Sequence, residues 1–333
     1  MRFKHFVPVL LIVLASGFFP ACNDDDDEEE EIGNWVRMSD FDGVARGNAT
    51  SFVIGNKGYL LGGWDGKGWL NDLWEYDMEA NYWVKKSDLP GSVRTLAVAF
   101  SIGNKAYIGT GYDGLNYLKD FWEYDPSADA WTRKSDFIGS ARYGAVGFSM
   151  NGSGYIGCGF EGNHLKDFYV YDPVSDNWSQ LPFSGSKRVG ASSFEVDGNI
   201  YLIGGINNQQ YVYDFWMFDG TNWVQKRDIA NTNSDEDYDD DYYIVRAYGT
   251  TFTINSLGYY STGESGSLLS TTWEYYPIND IWIKKTGFEG VARTGAVAFS
   301  FGNKGFIATG RSSSYRFDDL YEFMPLDEYY EYD

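Results

Sequence analysis

Six arginines recur through the chain at similar intervals: Arg46, Arg94, Arg142, Arg188, Arg246 and Arg293. A guanidinium group grips a carboxylate or phosphate through two parallel hydrogen bonds. A ring of six is therefore either an anion site or a set of internal ion pairs. A second column supplies acids for the internal reading: Asp72, Asp120, Asp167, Asp214 and Asp319, with Thr271 in the fifth unit. Arg–Asp contacts tying neighbouring units would satisfy both columns. On that reading one arginine near the fifth unit, Arg246 or Arg293, is expected to lack its acid.

Two further columns change character around the chain. Trp64, Tyr112, Phe160, Ile206, Glu264 and Arg311 form one, and Trp69, Tyr117, His164, Tyr211, Leu268 and Arg316 form the other. Both are aromatic in the first three units. Trp64-Asp65-Gly66 and Tyr112-Asp113-Gly114 each set a flat ring beside a carboxylate, which suits a pyranose with its C–H face on the ring and its hydroxyls on the acid. Trp64, Asp65, Trp69, Tyr112, Asp113, Tyr117, Phe160, Glu161 and His164 are thus the candidate binding residues. The competing reading is that these rings pack between loops and cap the core. The asymmetry fits one off-axis partner and equally fits drift in unconstrained loops.

Other chemistries are not signalled. His5 and His164 are the only histidines, too few for a histidine-rich metal site. No nucleophile elbow, phosphate-binding loop or dinucleotide fingerprint appears. Carboxylates abound, yet no pair is singled out by spacing. The formal net charge is −22, concentrated in residues 24–31, Asp235–Asp241 and the tail from Asp327, which argues against nucleic acid. No cofactor or metal is expected, no catalytic motif is found, and the reading at this level is a non-enzyme of open oligomeric state.

The elements that must position these columns form a repeat of about 47 residues beginning at Trp35. Seventeen residues after each arginine stands a glycine: Gly63, Gly111, Gly159, Gly205, Gly263 and Gly310. An aromatic column follows (Trp74, Trp122, Tyr169, Trp216, Trp273, Tyr321), and a tryptophan closes five units (Trp83, Trp131, Trp178, Trp223, Trp282). Each unit reads as four short strands. In the first these are Ala49–Ile54, Gly58–Gly63, Leu73–Tyr76 and Tyr82–Lys85, with a hairpin turn at Gly55-Asn56. Four-stranded units repeated six times predict an all-β, six-bladed propeller over 35–326. The sixth closing tryptophan stands at the other end of the chain, as Trp35. The N-terminal segment is therefore expected to supply the outer strand of the last blade, in preference to Tyr330. Alternation of strand direction puts the arginines and the candidate binding loops on one face, around the channel mouth.

Gly62-Gly63, Gly204-Gly205, Trp74-Glu75-Tyr76-Asp77, Trp122-Glu123-Tyr124-Asp125 and the tryptophan nine residues on resemble kelch repeats. The resemblance implies the propeller but no particular activity. The histidine count excludes the radical-copper chemistry of some kelch propellers.

Residues 1–21 read as an export signal, with Arg2 and Lys4 before an apolar run too short and broken to span a bilayer. The run ends Phe19-Pro20-Ala21-Cys22, which resembles a lipoprotein cleavage site with Cys22 lipidated. Residues 22–34, with an eight-residue acidic block, would be the tether, resembling that of Bacteroidota-type surface lipoproteins. This implies an outer-membrane lipoprotein exposed at the cell surface, with a periplasm-facing one as the alternative. The segment 231–243 is an acidic insert on the arginine face, without EF-hand spacing. It is either a solvated loop or a gate over the arginines. Residues 327–333 form an acidic tail. Cys158 is expected to be a small core residue.

The function expected from these residues is non-catalytic recognition of a glycan or protein at the cell envelope. One alternative is a sugar-processing enzyme like the six-bladed kelch sialic-acid mutarotases, which would use an acid and an arginine near the channel. The other is a structural envelope-assembly protein.

Overall fold

The structure, a computed structural model, describes residues 32–232 and 242–330. The export segment 1–21, Cys22, the acidic tether up to residue 31, most of the insert and residues 331–333 lie outside the described residues.

Six antiparallel four-stranded sheets make up the fold. In the first blade the strands are Thr50–Ile54, Lys57–Trp64, Trp69–Asp77 and Tyr82–Lys86, from the channel outward. The hairpin turn between the first two is tight because Gly55 takes φ 60°, a conformation that glycine adopts without penalty. The third strand begins earlier than expected. Trp64 pairs with Trp69 beyond a register shift between Leu61 and Gly63, so the loop between strands two and three is itself a hairpin. Neighbouring blades meet through aromatic rings pressed onto glycines. A Cβ on Gly58 would lie 2.6 Å from Phe299, and one on Gly154 would lie 2.1 Å from Phe100.

The last blade is closed from the other end of the chain. Asn34–Arg37 pairs with Leu320–Met324, with Trp35 opposite Phe323. Trp35 is fully buried, with its ring 4.7 Å from Phe323, 5.0 Å from Phe288 and 5.9 Å from Phe252. Tyr330 is 57% exposed and does not take the slot.

Each column arginine joins two blades. Its side chain stays in its own blade: Arg46 reaches Asp72 through Nη1 at 2.5 Å and Nη2 at 2.8 Å, while Nη1 also donates to the Gly62 carbonyl and Nε to that of Val44. Its backbone belongs to the preceding blade: the Arg94 carbonyl accepts from Gly63 N at 2.8 Å and its N–H donates to Leu70. This accounts for the seventeen-residue interval. The guanidinium takes the carbonyl sixteen residues on, and the glycine after it donates its N–H to the next arginine. The expectation that the ion pairs themselves tie neighbouring blades is therefore corrected, because arginine and aspartate sit on adjoining segments of one blade.

The arginines are at most 1% exposed. Five are ion-paired with Asp72, Asp120, Asp167, Asp214 and Asp319. Arg246 instead donates to the hydroxyl and carbonyl of Thr271 and lies 4.9 Å from the Tyr260 ring. Burial lowers its pKa to about 10. None of the six guanidinium groups lines the channel mouth, so the arginine column is framework, not an open anion ring.

A second device runs around the mouth. The residues two after each arginine are Asn48, Leu96, Gly144, Gly190, Tyr248 and Gly295, all with φ between 53° and 68°. Each donates its N–H to the carbonyl of the equivalent residue in the preceding blade, at 2.7–3.0 Å, so six backbone hydrogen bonds close into a circle.

Three measurements test this framework. Asp120→Ala strands a buried arginine and should cost about 3–5 kcal/mol in urea unfolding. Thr271→Ala removes only a hydrogen-bonding hydroxyl and should cost about 1 kcal/mol. Equal losses would refute the ion-pair account. Trp35→Ala should cost about 3–5 kcal/mol, against roughly 0.5 kcal/mol for exposed Tyr330→Ala. Acid should also unfold the ring. For Asp72, Asp120, Asp167 and Asp214 burial pushes the pKa up, but hydrogen bonds and the arginine charge outweigh it and hold each below the ordinary carboxylate range. A depressed folded-state pKa gives stability that is complete above the unfolded value of about 3.9 and lost as pH falls through the folded values. The urea midpoint should therefore drop below about pH 4, and an unchanged midpoint there would contradict this.

Candidate functional site at the channel mouth

Above each arginine the chain adds a small three-segment ladder that rims the channel. The residue after the arginine pairs with the residue after the glycine, and that residue pairs across the loop hairpin. In blade 1 these are Gly47, Trp64 and Trp69; in blade 2 Thr95, Tyr112 and Tyr117; in blade 3 Tyr143, Phe160 and His164. Blade 4 presents Val189, Ile206 and Tyr211, blade 5 Ala247, Glu264 and Leu268, and blade 6 Thr294, Arg311 and Arg316. One rim thus carries aromatics on four blades and an acid and two arginines on the other two.

On the aromatic side the rings run in series. Trp69 lies 6.2 Å from Tyr112, Tyr112 5.8 Å from Tyr117, Tyr117 5.4 Å from Tyr143, Tyr143 5.5 Å from Phe160, and Phe160 5.1 Å from His164. Trp64 stands apart, with the Arg316 guanidinium 4.1 Å from its ring. Asp65 and Asp113 are committed to shaping their loops: Asp65 Oδ1 accepts from Lys67 N and Gly68 N at 2.7 Å, and Asp113 Oδ1 from Leu115 N and Asn116 N at 2.8 and 2.7 Å. Glu161 is exposed at its loop tip. His164 is half-buried, and burial lowers its pKa against the raising effect of a hydrogen bond to Asn208. Cys158 is fully buried in the core, its thiol pushed up to about 12 by burial.

On the charged side, Arg311 pairs in register with Arg316. Neither has an ion pair among the described residues, and Arg316 Nε is buried without a hydrogen-bond partner. Burial and the neighbouring Arg311 lower the Arg316 pKa, partly offset by Asp65. An anion placed there relieves both the repulsion and the missing hydrogen bonds. Glu264, on the next blade, completes the set.

Tyr248 stands between the two sides. It belongs to the backbone circle, where three blades use glycine, yet it holds φ 54° with a bulky side chain. Such a conformation is uncommon for a non-glycine residue. Its ring covers Gly190, where an added Cβ would lie 2.6 Å from it. Burial, then Tyr143 and Glu264, raise its hydroxyl pKa, opposed by Arg311. The tyrosine therefore stays protonated at neutral pH, with an acid and an arginine close enough to act on it electrostatically. With small residues such as Ala49, Ala97 and Ala145 it lines a cavity of about 120 Å³.

The candidate aromatics are thus brought together, as Trp69, Tyr112, Tyr117, Phe160 and His164. Tyr143 joins them, and Tyr248, Glu264, Arg311 and Arg316 share the rim, although none of the five was among the candidate binding residues. The available signal was positional. Tyr248 interrupts a column that is otherwise mostly glycine, and Glu264 and Arg311 end a column that begins with aromatics. Among the described residues no cluster of three metal-ligating side chains occurs.

The class that the fold defines is the kelch-type β-propeller. The model described as the KLHDC2/KLHL20/DRC7 Kelch-repeats domain matches residues 35–136. A second model, N-acetylneuraminate epimerase, matches residues 86–261, more than half of the chain, and the chain belongs to that family. A solved structure, that of YjhT, superposes with a TM-score of 0.69 at 15% identity, over 85% of this chain and 96% of that one, and shares the fold. No curated protein matches the sequence.

The family corrects the expectation of a non-enzyme: it points to a sugar-processing enzyme. Acid–base chemistry on a sugar needs no metal, no activated serine and no local motif. It needs only a carboxylate and a proton donor brought together by the fold, and such a pair leaves no trace at fixed spacing.

Proposed function

We propose that the protein is a sugar-acid epimerase, interconverting the anomers of N-acetylneuraminate or a close relative at the channel mouth. The observation that carries this reading is the unpaired Arg311–Arg316 couple beside Glu264 and Tyr248. N-acetylneuraminate bears its carboxylate directly on the anomeric carbon. Seating that carboxylate on the two arginines sets the anomeric carbon one bond away, within the compass of Glu264 and Tyr248. Glu264 takes the proton from the anomeric hydroxyl, and the Tyr248 hydroxyl donates to the ring oxygen as the ring C–O bond breaks. Rotation about the bond to the anomeric carbon turns the carbonyl over. The reverse proton transfers then close the ring on its other face, with no net change in atoms or electrons. The aromatic bank of blades 1–3 offers apolar faces to the rest of the sugar.

The N-terminal signature supports attachment to the cell envelope through Cys22, with the propeller displayed at the outer-membrane surface.

Anomer exchange followed by NMR provides the test. Glu264→Gln should lower kcat by roughly 100- to 10,000-fold with KM little changed. Arg311→Met and Arg316→Met should each lower kcat/KM by roughly 10- to 100-fold, mainly through KM. Tyr248→Phe should slow exchange by removing the proton donor while its ring stays over Gly190 and stability changes by no more than about 1 kcal/mol. An exchange rate no faster than that in buffer would sink the proposal.

A further inference from the structure

The two rim arginines of blade 6 rest on blade 1, and the fit is pairwise. Arg311 and Arg316 stand opposite each other in one ladder step. Gly47 and Trp64 do the same in blade 1, where Gly47 N donates to the Trp64 carbonyl at 3.1 Å and Trp64 N to the Gly47 carbonyl at 2.9 Å. Gly47 lies against Arg311: an added Cβ would come within 2.9 Å of the Arg311 Cβ and 3.0 Å of its Cγ. Trp64 lies against Arg316, whose guanidinium carbon is 4.1 Å from the ring centroid. The residue after the column arginine is Thr95, Tyr143, Val189, Ala247 or Thr294 in the other blades, and glycine in blade 1 alone. Gly47 does not hold a left-handed backbone, so the glycine there provides space and not conformational freedom.

Like charges directly opposite each other in a ladder repel. Deeper in the blades an arginine charge is neutralised by an aspartate, as Arg46 is by Asp72. At the rim that solution would fill the site, because an aspartate takes the same N–H fork that a ligand carboxylate needs. An indole face attracts the cation through its quadrupole and leaves the donors of the fork to other partners. Arg316 Nε is indeed buried without a hydrogen-bond partner. Asp65, next to Trp64 in the chain, does not compete, since its Oδ1 accepts from Lys67 N and Gly68 N.

We propose that Gly47 and Trp64 are positioning residues of the anion site. Trp64 steadies the Arg316 cation without occupying its donors, Gly47 lets Arg311 lie alongside, and together they keep the couple preset for a ligand's carboxylate. The inference rests on the reading of the mouth given above and deepens it: selection of the acid form of the sugar belongs to blade 1 as much as to blade 6. It also takes Trp64 out of the bank of rings offered to the sugar, which then begins at Trp69.

The experiment measures calorimetric affinity of the full-length protein for N-acetylneuraminate and for its methyl ester, which keeps the ring and loses the charge, with anomer exchange and urea unfolding alongside. Trp64→Leu should weaken binding of the acid roughly three- to thirtyfold, the range of a cation–π contact, and change the ester by less than about twofold. Trp64→Phe should recover part of the loss, since a benzene face holds a cation less well than an indole. Gly47→Ala, which presses on Arg311, should raise KM for the acid about threefold or more with kcat unchanged. In an Arg311→Met/Arg316→Met background, Trp64→Leu should have no further effect on the acid. Equal losses for acid and ester in Trp64→Leu would mean that the ring stacks on the sugar, and an unchanged affinity for the acid would mean that it serves neither; either result overturns the proposal. If the acid loses affinity as expected while its anomers exchange no faster than in buffer, the reading of the mouth falls and the seat of the arginines stands.

Discussion

The buried arginine is the joint on which this molecule turns. A guanidinium group has donors in a rigid planar fork. Arg46 uses that fork to hold three segments of its own blade at once: the carbonyl two residues back, the carbonyl sixteen residues on, and Asp72. Its carbonyl meanwhile accepts from Gly310 of the preceding blade. A buried charge is tolerable only when its hydrogen-bonding capacity is filled, so the same constraint that buries the arginine fixes the spacing of glycine and aspartate around it. The backbone circle through Asn48, Leu96, Gly144, Gly190, Tyr248 and Gly295 follows directly from that placement.

A frame so fully determined leaves the positions above it free to differ. The ladder pairings of the rim are the same in all six blades, yet the side chains they display run from Trp64 and Tyr112 to Glu264 and Arg311. Backbone hydrogen bonds keep the geometry, and side chains supply the chemistry. Tyr248 joins the two, since it occupies a framework position, in the same left-handed conformation as Asn48 and Leu96, and carries a hydroxyl at the mouth.

Much of the frame was legible in the sequence because it repeats. The arginine-to-glycine interval is constant, which set the blade count, and Trp35 matched Trp83 closely enough to show how the ring closes. The partner of each arginine was visible as a column, but not its place in the same blade, because a column gives positions along the chain and not which strands lie side by side. The mouth was only half legible. Trp69, Tyr112, Tyr117, Phe160 and His164 form short local pairs and stood out. Tyr248 and Glu264 come from blade 5 and Arg311 and Arg316 from blade 6, and the two pairs meet only when those blades stand side by side. Residues that break a repeat carry information, yet the sequence alone does not say which breaks face one another.

Closure by Asn34–Arg37 has a consequence for how the chain is made. Of the propeller's strands that one emerges first, and its partner Leu320–Met324 emerges last. Until the final blade exists, the segment around Trp35 has nothing to pair with, and the inner blades expose an unclosed edge at each end of the growing stack. Contacts between the two ends of a long chain form slowly, and open strand edges invite association with other chains. Completion of the circle is therefore a single late event, and it converts a row of weak sheets into one cooperative unit.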